Sequence, residues 1–185
     1  MRWTVENVGL LLLFLVFASA AVAGVMQGPV EEPGPIEREF PDQSAERESK
    51  AWTDSQRERL ADAVVFQVND FRERNGRSAV NRSEHLRGVA TDHAEYLNNT
   101  GDTAHVGKND STPEERVGQC FSGEVVTASR TQTTIAATAQ SVVQKFIESQ
   151  PHREILLERE HSAMGVGVAA EENGEKLRVV VDFCR

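Results

Sequence analysis

His105, Glu124 and His152 are the residues of this chain whose types could do chemistry together. Two imidazoles and a carboxylate can hold zinc or another divalent ion, or pass a proton to and from a bound molecule. They are far apart in the sequence, yet each sits at the edge of a regular element, where a fold can bring loops together. His152 follows Pro151 in the first turn of a helix, where the positive end of the helix dipole disfavours imidazolium. A neutral ring there can bind a metal or accept a proton. Taken singly, each residue has a plainer reading: the histidines as solvated polar groups, Glu124 as a strand-end charge.

Other familiar site patterns are missing. The chain has no glycine-rich phosphate loop, no HExxH helix and no G-x-S-x-G elbow. "HAEYL" at His93 to Leu97 contains H-x-E, but a zinc deaminase also needs a paired PCxxC, and two distant cysteines cannot supply it. His93 therefore reads as packed within its helix. Ser122, Ser129, Ser149 and Ser162 stand in no context that marks a nucleophile, so no catalytic residue is assigned and enzymatic activity stays an open question.

The elements that must position these residues follow from periodicity. Ser55 with Glu58 makes a capping-box pattern ahead of Leu60, Val64, Val68 and Phe71 at helical spacing, and Asn75-Gly76 stops that helix. A second helix is predicted from about Ser83 to Leu97, with Leu86, Ala90, Ala94 and Leu97 inward. A loop follows, holding one short turn where Thr112 caps and Pro113 takes the first helical position. Glu124 to Ala128 reads as a short strand. A third helix runs from about Thr131 to Glu148, with Ile135, Ala139, Val142, Val143 and Phe146 inward. The C-terminus reads as a hairpin, "AMGVGVAA" and "KLRVVVDF" around Asn173-Gly174. Helices first and a sheet to close the domain argue an α+β layered fold.

The rest of the chain concerns location. Val8 to Met26 is uncharged for about 19 residues, just long enough to span a bilayer. Arg2 precedes it and Glu31 and Glu32 follow, which puts everything after Met26 outside the cell. Residues 1–26 are thus a membrane anchor or, because Ala21-Val22-Ala23 resembles a cleavage site, a signal peptide. Residues 27–51 are an acidic, proline-rich linker that cannot bury enough apolar surface to offset its ordering entropy. The globular domain is residues 52–185. Of 185 residues, 39% are hydrophobic and 26% charged, compatible with one modest core, and the net charge of −9 repels nucleic acid and argues against it as a partner. Outside the cell an even pair of cysteines, Cys120 and Cys184, is more often a disulfide than a metal site. Closing a loop of about 65 residues would stabilise the fold by about 4 kcal/mol in the chain-entropy model. Asn81, Asn98 and Asn109 each head an N-x-S/T glycosylation pattern, one that is short enough to recur by chance.

The stretches "AVVFQVNDFRERNGRSAVNRSEHLRGVATDHAEYLNNTGDTAHVGKNDSTPEERV", "SGEVV", "FIESQPHREILL" and "MGVGVA", in that order, resemble the CAP superfamily. That group includes cysteine-rich secretory, antigen-5 and plant pathogenesis-related proteins, and the nearest likeness is to its prokaryotic SCP-like extracellular branch. The resemblance covers about Asp54 to Cys184 and implies a three-layer α-β-α sandwich with a central cleft. It also implies a cleft tetrad in which His105, Glu124 and His152 take three positions and Ser149, beside Glu148, falls near the fourth, where animal members carry glutamate. The "GEN" asparagine of the family is Val125 here, and "SPxHR" appears as "SQPHR". Arg116 and Arg153 match positions where the family favours arginine. The implied function is an extracellular or cell-surface binding module. Its cleft would hold a small ligand, lipid, peptide or glycan, with a divalent metal such as zinc on His105, Glu124 and His152. The alternative is a metal-assisted secreted hydrolase using the same residues.

Overall fold

The computed structural model describes residues 51–185. The expected anchor or signal segment and all of the linker except Ala51 lie outside the described residues. Among the described residues no helix is long and apolar enough to cross a membrane.

Among the described residues, five α-helices and four strands follow in the order α1 (Asp54–Arg74), β1 (Asn81–Arg82), α2 (Glu84–Thr100), α3 (Pro113–Val117), β2 (Phe121–Arg130), α4 (Ile135–Glu148), α5 (Gln150–Leu156), β3 (Ala163–Ala170) and β4 (Lys176–Cys184), with a short 3-10 turn at Lys108–Asp110 before α3. The helix starts are set by side-chain caps. Thr53 and Gln56, rather than Ser55 and Glu58, form the capping box of α1. Thr53 takes the cap because its backbone is extended at the helix start (φ −72°, ψ 159°), whereas Ser55 already lies inside α1. Ser83 caps α2, Thr112 caps α3, and Thr134 caps α4 three residues later than the spacing predicts.

The four strands form one mixed sheet in the order β1-β3-β4-β2. β1 pairs parallel with the start of β3, while β3–β4 and β4–β2 are antiparallel. Alternate residues of the central strands face opposite ways. Val125, Val179 and Val181 pack with Leu60, Val64 and Val68 of α1 and with Val142, Val143 and Phe146 of α4. Val126, Val180 and Ala169 pack with Ala90, Ala94 and Leu97 of α2. The sheet is thus covered on both faces, which is why the middle of β4, Val179 to Val181, is apolar on consecutive residues instead of alternating.

α2 lies close on its face of the sheet because that face carries glycine. A Cβ on Gly165 would stand 2.2 Å from Arg87 N and Leu86 C, and one on Gly167 would stand 2.1 Å from Ala90 C. Cys120 and Cys184 form a disulfide that joins the start of β2 to the end of β4, with Cα atoms 4.8 Å apart. α5 is held from two sides. Buried Arg72 of α1 donates through Nη1 to Leu156 O (2.5 Å) and Glu158 O (3.0 Å), and Arg153 Nη1 donates to Ile147 O (3.0 Å) at the end of α4. Arg153 is therefore a brace between two helices and pairs with a carbonyl, not with a carboxylate.

Candidate functional site

Glu124 is the centre of the arrangement. It lies on β2, on the face covered by α2, with a side chain only 1% exposed. His105, in the loop after α2, donates its Nδ1–H to Glu124 Oε1 at 2.9 Å. Arg116, on the short helix α3, donates Nη2–H to Glu124 Oε2 at 2.6 Å and to His105 O at 3.0 Å. One guanidinium thus fixes both the carboxylate and the loop that carries the histidine. Burial alone would push the Glu124 carboxyl up, but the His105 hydrogen bond and the Arg116 charge outweigh it and hold it below the usual glutamate range.

His105 is the exposed member, with 47% of its side chain accessible. Its bond to Glu124 occupies Nδ1 and leaves Nε2 as the nitrogen open to a ligand. His152 approaches edge-on, with ring centroids 5.9 Å apart, and its own edge rests against Phe146 at 5.8 Å. The His152 imidazolium is disfavoured by burial first and by His105 second, so the ring stays neutral below its ordinary range. The direction is the one anticipated from its place in the helix. The cause is burial and a neighbouring imidazole.

Ser149 is the residue between α4 and α5: its N–H donates to Lys145 O and its carbonyl accepts from Arg153 N–H. Its side chain makes no capping bond. Glu148 is turned back along α4, accepting from Gln144 Nε2 at 3.0 Å.

Three further residues belong to the site. His93 is buried on α2, donates Nε2–H to Ala104 O at 3.2 Å and lies 3.8 Å from Glu124 Oε1. It is packed within its helix, and it also forms the wall behind Glu124. Arg116 stands at a position where the family favours arginine, and the carboxylate it meets is Glu124. Asp182 had no sequence signal at all. It is the direct cross-strand partner of Glu124 on β4, is wholly buried, and neither oxygen has a hydrogen-bond donor among the described residues. Burial, then the Glu124 charge, pushes its carboxyl up to about 8.

The donor set bears on metal binding. Both Glu124 oxygens are engaged and the side chain is buried, so the expected role of Glu124 as a direct ligand does not fit its position. Among the described residues no group of three or more His, Cys, Asp or Glu could hold a metal ion. That leaves the imidazoles of His105 and His152 side by side, with Glu124 bonded to Nδ1 of the first, the placement carboxylates take behind metal-binding histidines.

Ser122 does meet a histidine, which no local context indicated. Its hydroxyl donates to His161 Nδ1 at 2.7 Å, while His161 Nε2–H donates to Ile155 O at 2.8 Å. The ring is buried and stacked on Phe183 at 4.3 Å, so both nitrogens are satisfied in a packed setting. A cavity of about 770 Å3 lies at the other end of the sheet, lined by Trp52, Arg130, Thr131 and Glu175.

The family model described as "Cysteine-rich secretory protein family" (CAP) matches residues 65–183. No curated protein matches the chain in sequence. Among solved structures, the chain is similar to an outer surface protein from Borrelia burgdorferi (17% identity, TM-score 0.56, covering 68% of this chain and 92% of that one). It is similar to an extracellular protein containing an SCP domain from Bacillus anthracis (17%, TM-score 0.54, 68% of this chain and 40% of that one). It is also similar to the CAP domain of enterococcal PrgA (17%, TM-score 0.51, 73% of this chain and 64% of that one). At this identity the likeness to each is one of fold.

Proposed function

We propose, from the premise that this chain belongs to the CAP family of cysteine-rich secretory proteins, that it is an extracellular binding module whose ligands enter beside His105 and His152. Location outside the cell rests on the apolar N-terminal segment and on the disulfide, which persists in oxidising surroundings. The observation that carries binding over hydrolysis is the state of Glu124. A general base needs a free oxygen within reach of water, and both oxygens of Glu124 are already accepting, from His105 and Arg116. Glu124 instead sets the tautomer of His105 and presents Nε2 as an acceptor or ligand atom.

His105 and His152 would be the residues that hold a divalent ion, with water or the incoming ligand completing its shell. When bound, the ion would act as a Lewis acid that draws an oxygen-bearing ligand into the cleft. A small molecule, lipid, peptide or glycan with a carboxylate, phosphate or hydroxyl group suits that role. Membrane attachment through residues 1–26 would hold the module at the cell surface.

Calorimetric titration of zinc into the full-length chain tests the site. Wild type is expected to bind about one ion, His105→Ala and His152→Ala each to weaken binding at least about tenfold, and the double variant to lose it. Equal binding by wild type and double variant sinks the metal-assisted cleft. A panel of peptide and ester substrates tests the module as a whole: turnover lost in His105→Ala would replace binding by catalysis.

A further inference from the structure

The outer edge of β3 is covered at both ends and bare in the middle. β4 pairs with β3 along its whole length, whereas β1 reaches only Ala163 and Met164. Asn81 N–H donates to Ser162 O (2.9 Å) and Ser83 N–H to Met164 O (2.8 Å), so even-numbered residues turn their peptide groups toward this edge. The β3–β4 register runs unbroken from Ala163 to Ala170, which carries the same alternation on to Val166, Val168 and Ala170. Ala170 O is taken by Asn98 Nδ2 at 3.1 Å. The same bond engages the Asn98 amide, against its use as a glycosylation acceptor. Between these two ends, the edge-facing peptide groups of Val166 and Val168 have no hydrogen-bond partner among the described residues.

Both valines line a slot of about 320 Å3 between α1 and α2, walled by Arg57, Glu58 and Ala61 on one side and Arg87, Thr91 and Glu95 on the other. A pocket of about 170 Å3 over Ala169 and Ala170 continues it, since Arg57 and Glu95 line both. The two arginines are committed, Arg57 to Asp54 and Arg87 to Glu84. Exposed Glu95 has no ion pair among the described residues, and Glu58 meets only Arg82 at 3.9 Å. The groove therefore offers two free ladder positions on its floor and one unpaired carboxylate, Glu95, on its wall.

We propose that this groove binds an extended peptide carrying a lysine or arginine, which adds a short strand to β3 at Val166 and Val168 and sets its cation against Glu95. Two free ladder positions span about 7 Å, the length of roughly three residues of strand. Backbone pairing supplies affinity and the charged wall supplies selectivity, as in other strand-addition sites. A second copy of this chain is the poorer occupant. Val166 and Val168 are 2% and 4% exposed at the base of a slot, so two such edges cannot reach one another, and pairing them would oppose Glu95 to Glu95. The inference is independent of the cleft reading.

The test uses the full-length chain and the capped peptide acetyl-Val-Lys-Val-Thr-Val-amide, followed by amide NMR and hydrogen exchange. Shifts and slowed exchange at Val166 and Val168 are expected. The same peptide with N-methyl groups on its pairing amides should bind at least about tenfold more weakly, with the protein unaltered. Glu95→Lys, a surface change, should weaken the lysine peptide and favour its glutamate counterpart. Equal binding of the N-methylated peptide, absence of shifts at about 1 mM peptide, or shifts centred on His105 would each overturn the proposal. Sedimentation showing a dimer that the peptide does not disperse would overturn it in favour of a second copy.

Discussion

Glu124 and Asp182 are direct partners across the β2–β4 ladder, so two carboxyl groups stand side by side on the buried, α2-facing side of the sheet. Only one of them is compensated by donors. Glu124 holds its charge against His105 and Arg116, and Asp182 holds its proton against Glu124. The pair behaves as one unit behind the cleft.

Asp182 makes stability depend on pH in a defined direction. Its carboxyl titrates at about 8 in the fold against 3.8 ordinarily, so between those values the folded chain keeps a proton that the unfolded chain has lost. The stability Asp182 contributes is therefore lost as pH rises through that window, and the net decline is expected above about 6.5, where the histidines no longer oppose it. Asp182→Asn should remove the decline. Urea denaturation at several pH values checks it, and an unchanged slope in the variant would show that Asp182 is ionised.

On the acid side the histidines dominate. His93, His152 and His161 are all held below the ordinary 6.5, chiefly by burial. The unfolded chain gains their protons first, so stability should fall as pH drops below about 6.5. His161→Phe should flatten part of that limb, because a phenyl ring can keep the stack on Phe183. The same denaturation series reads this out.

Arg116→Ala removes the partner of a carboxylate that is 1% exposed. The cost expected is about 3–5 kcal/mol, the range for leaving one charge of a buried pair uncompensated. Nitrogen-15 shifts of His105 should move as well, because the loop carbonyl that Arg116 holds is His105 O. Loss of stability with an unmoved His105 tautomer would separate folding from positioning.

Gly165→Ala and Gly167→Ala each place a methyl group inside the backbone of α2, at 2.2 and 2.1 Å. Neither neighbour is a flexible side chain that could swing aside. Each variant is expected to lose about 3 kcal/mol or more, at the upper end for overpacking. Thermal melts would show it, and a near-neutral change would mean that α2 can lift off the sheet.

Cys120→Ser with Cys184→Ser should cost about 2–5 kcal/mol. The strands it joins are already paired at Phe121 and Cys184, so the domain is expected to stay folded at room temperature with a lower melting point. A reductant should reproduce the shift in wild type and leave the variant unaffected.

Much of the architecture was readable without coordinates, for identifiable reasons. Leu86, Ala90, Ala94 and Leu97 repeat at helical spacing and are buried, because a helix on a sheet needs one apolar stripe. The hairpin around Asn173-Gly174 follows from turn chemistry. β1 leaves no mark in the sequence because two residues carry no period. The cap of α1 lies two residues before the one the spacing predicts, because Ser55 and Thr53 both head capping-box patterns and only backbone geometry at the helix start chooses between them.

The sequence by itself determined which residues could do chemistry, the uncharged apolar segment near the N-terminus, and the main helices and the C-terminal hairpin, since all of these are local in type or period. Tertiary structure alone decided what the chemistry-bearing residues do. Asp182 sits in an apolar run that gives no sign of its partner, and Glu124 lies 58 positions away; strand register makes them neighbours. The same register leaves Val166 and Val168 with open peptide groups, and it buries Glu124 between His105 and Arg116 so that it orients an imidazole. Register and burial arise from long-range packing, which no window of sequence contains.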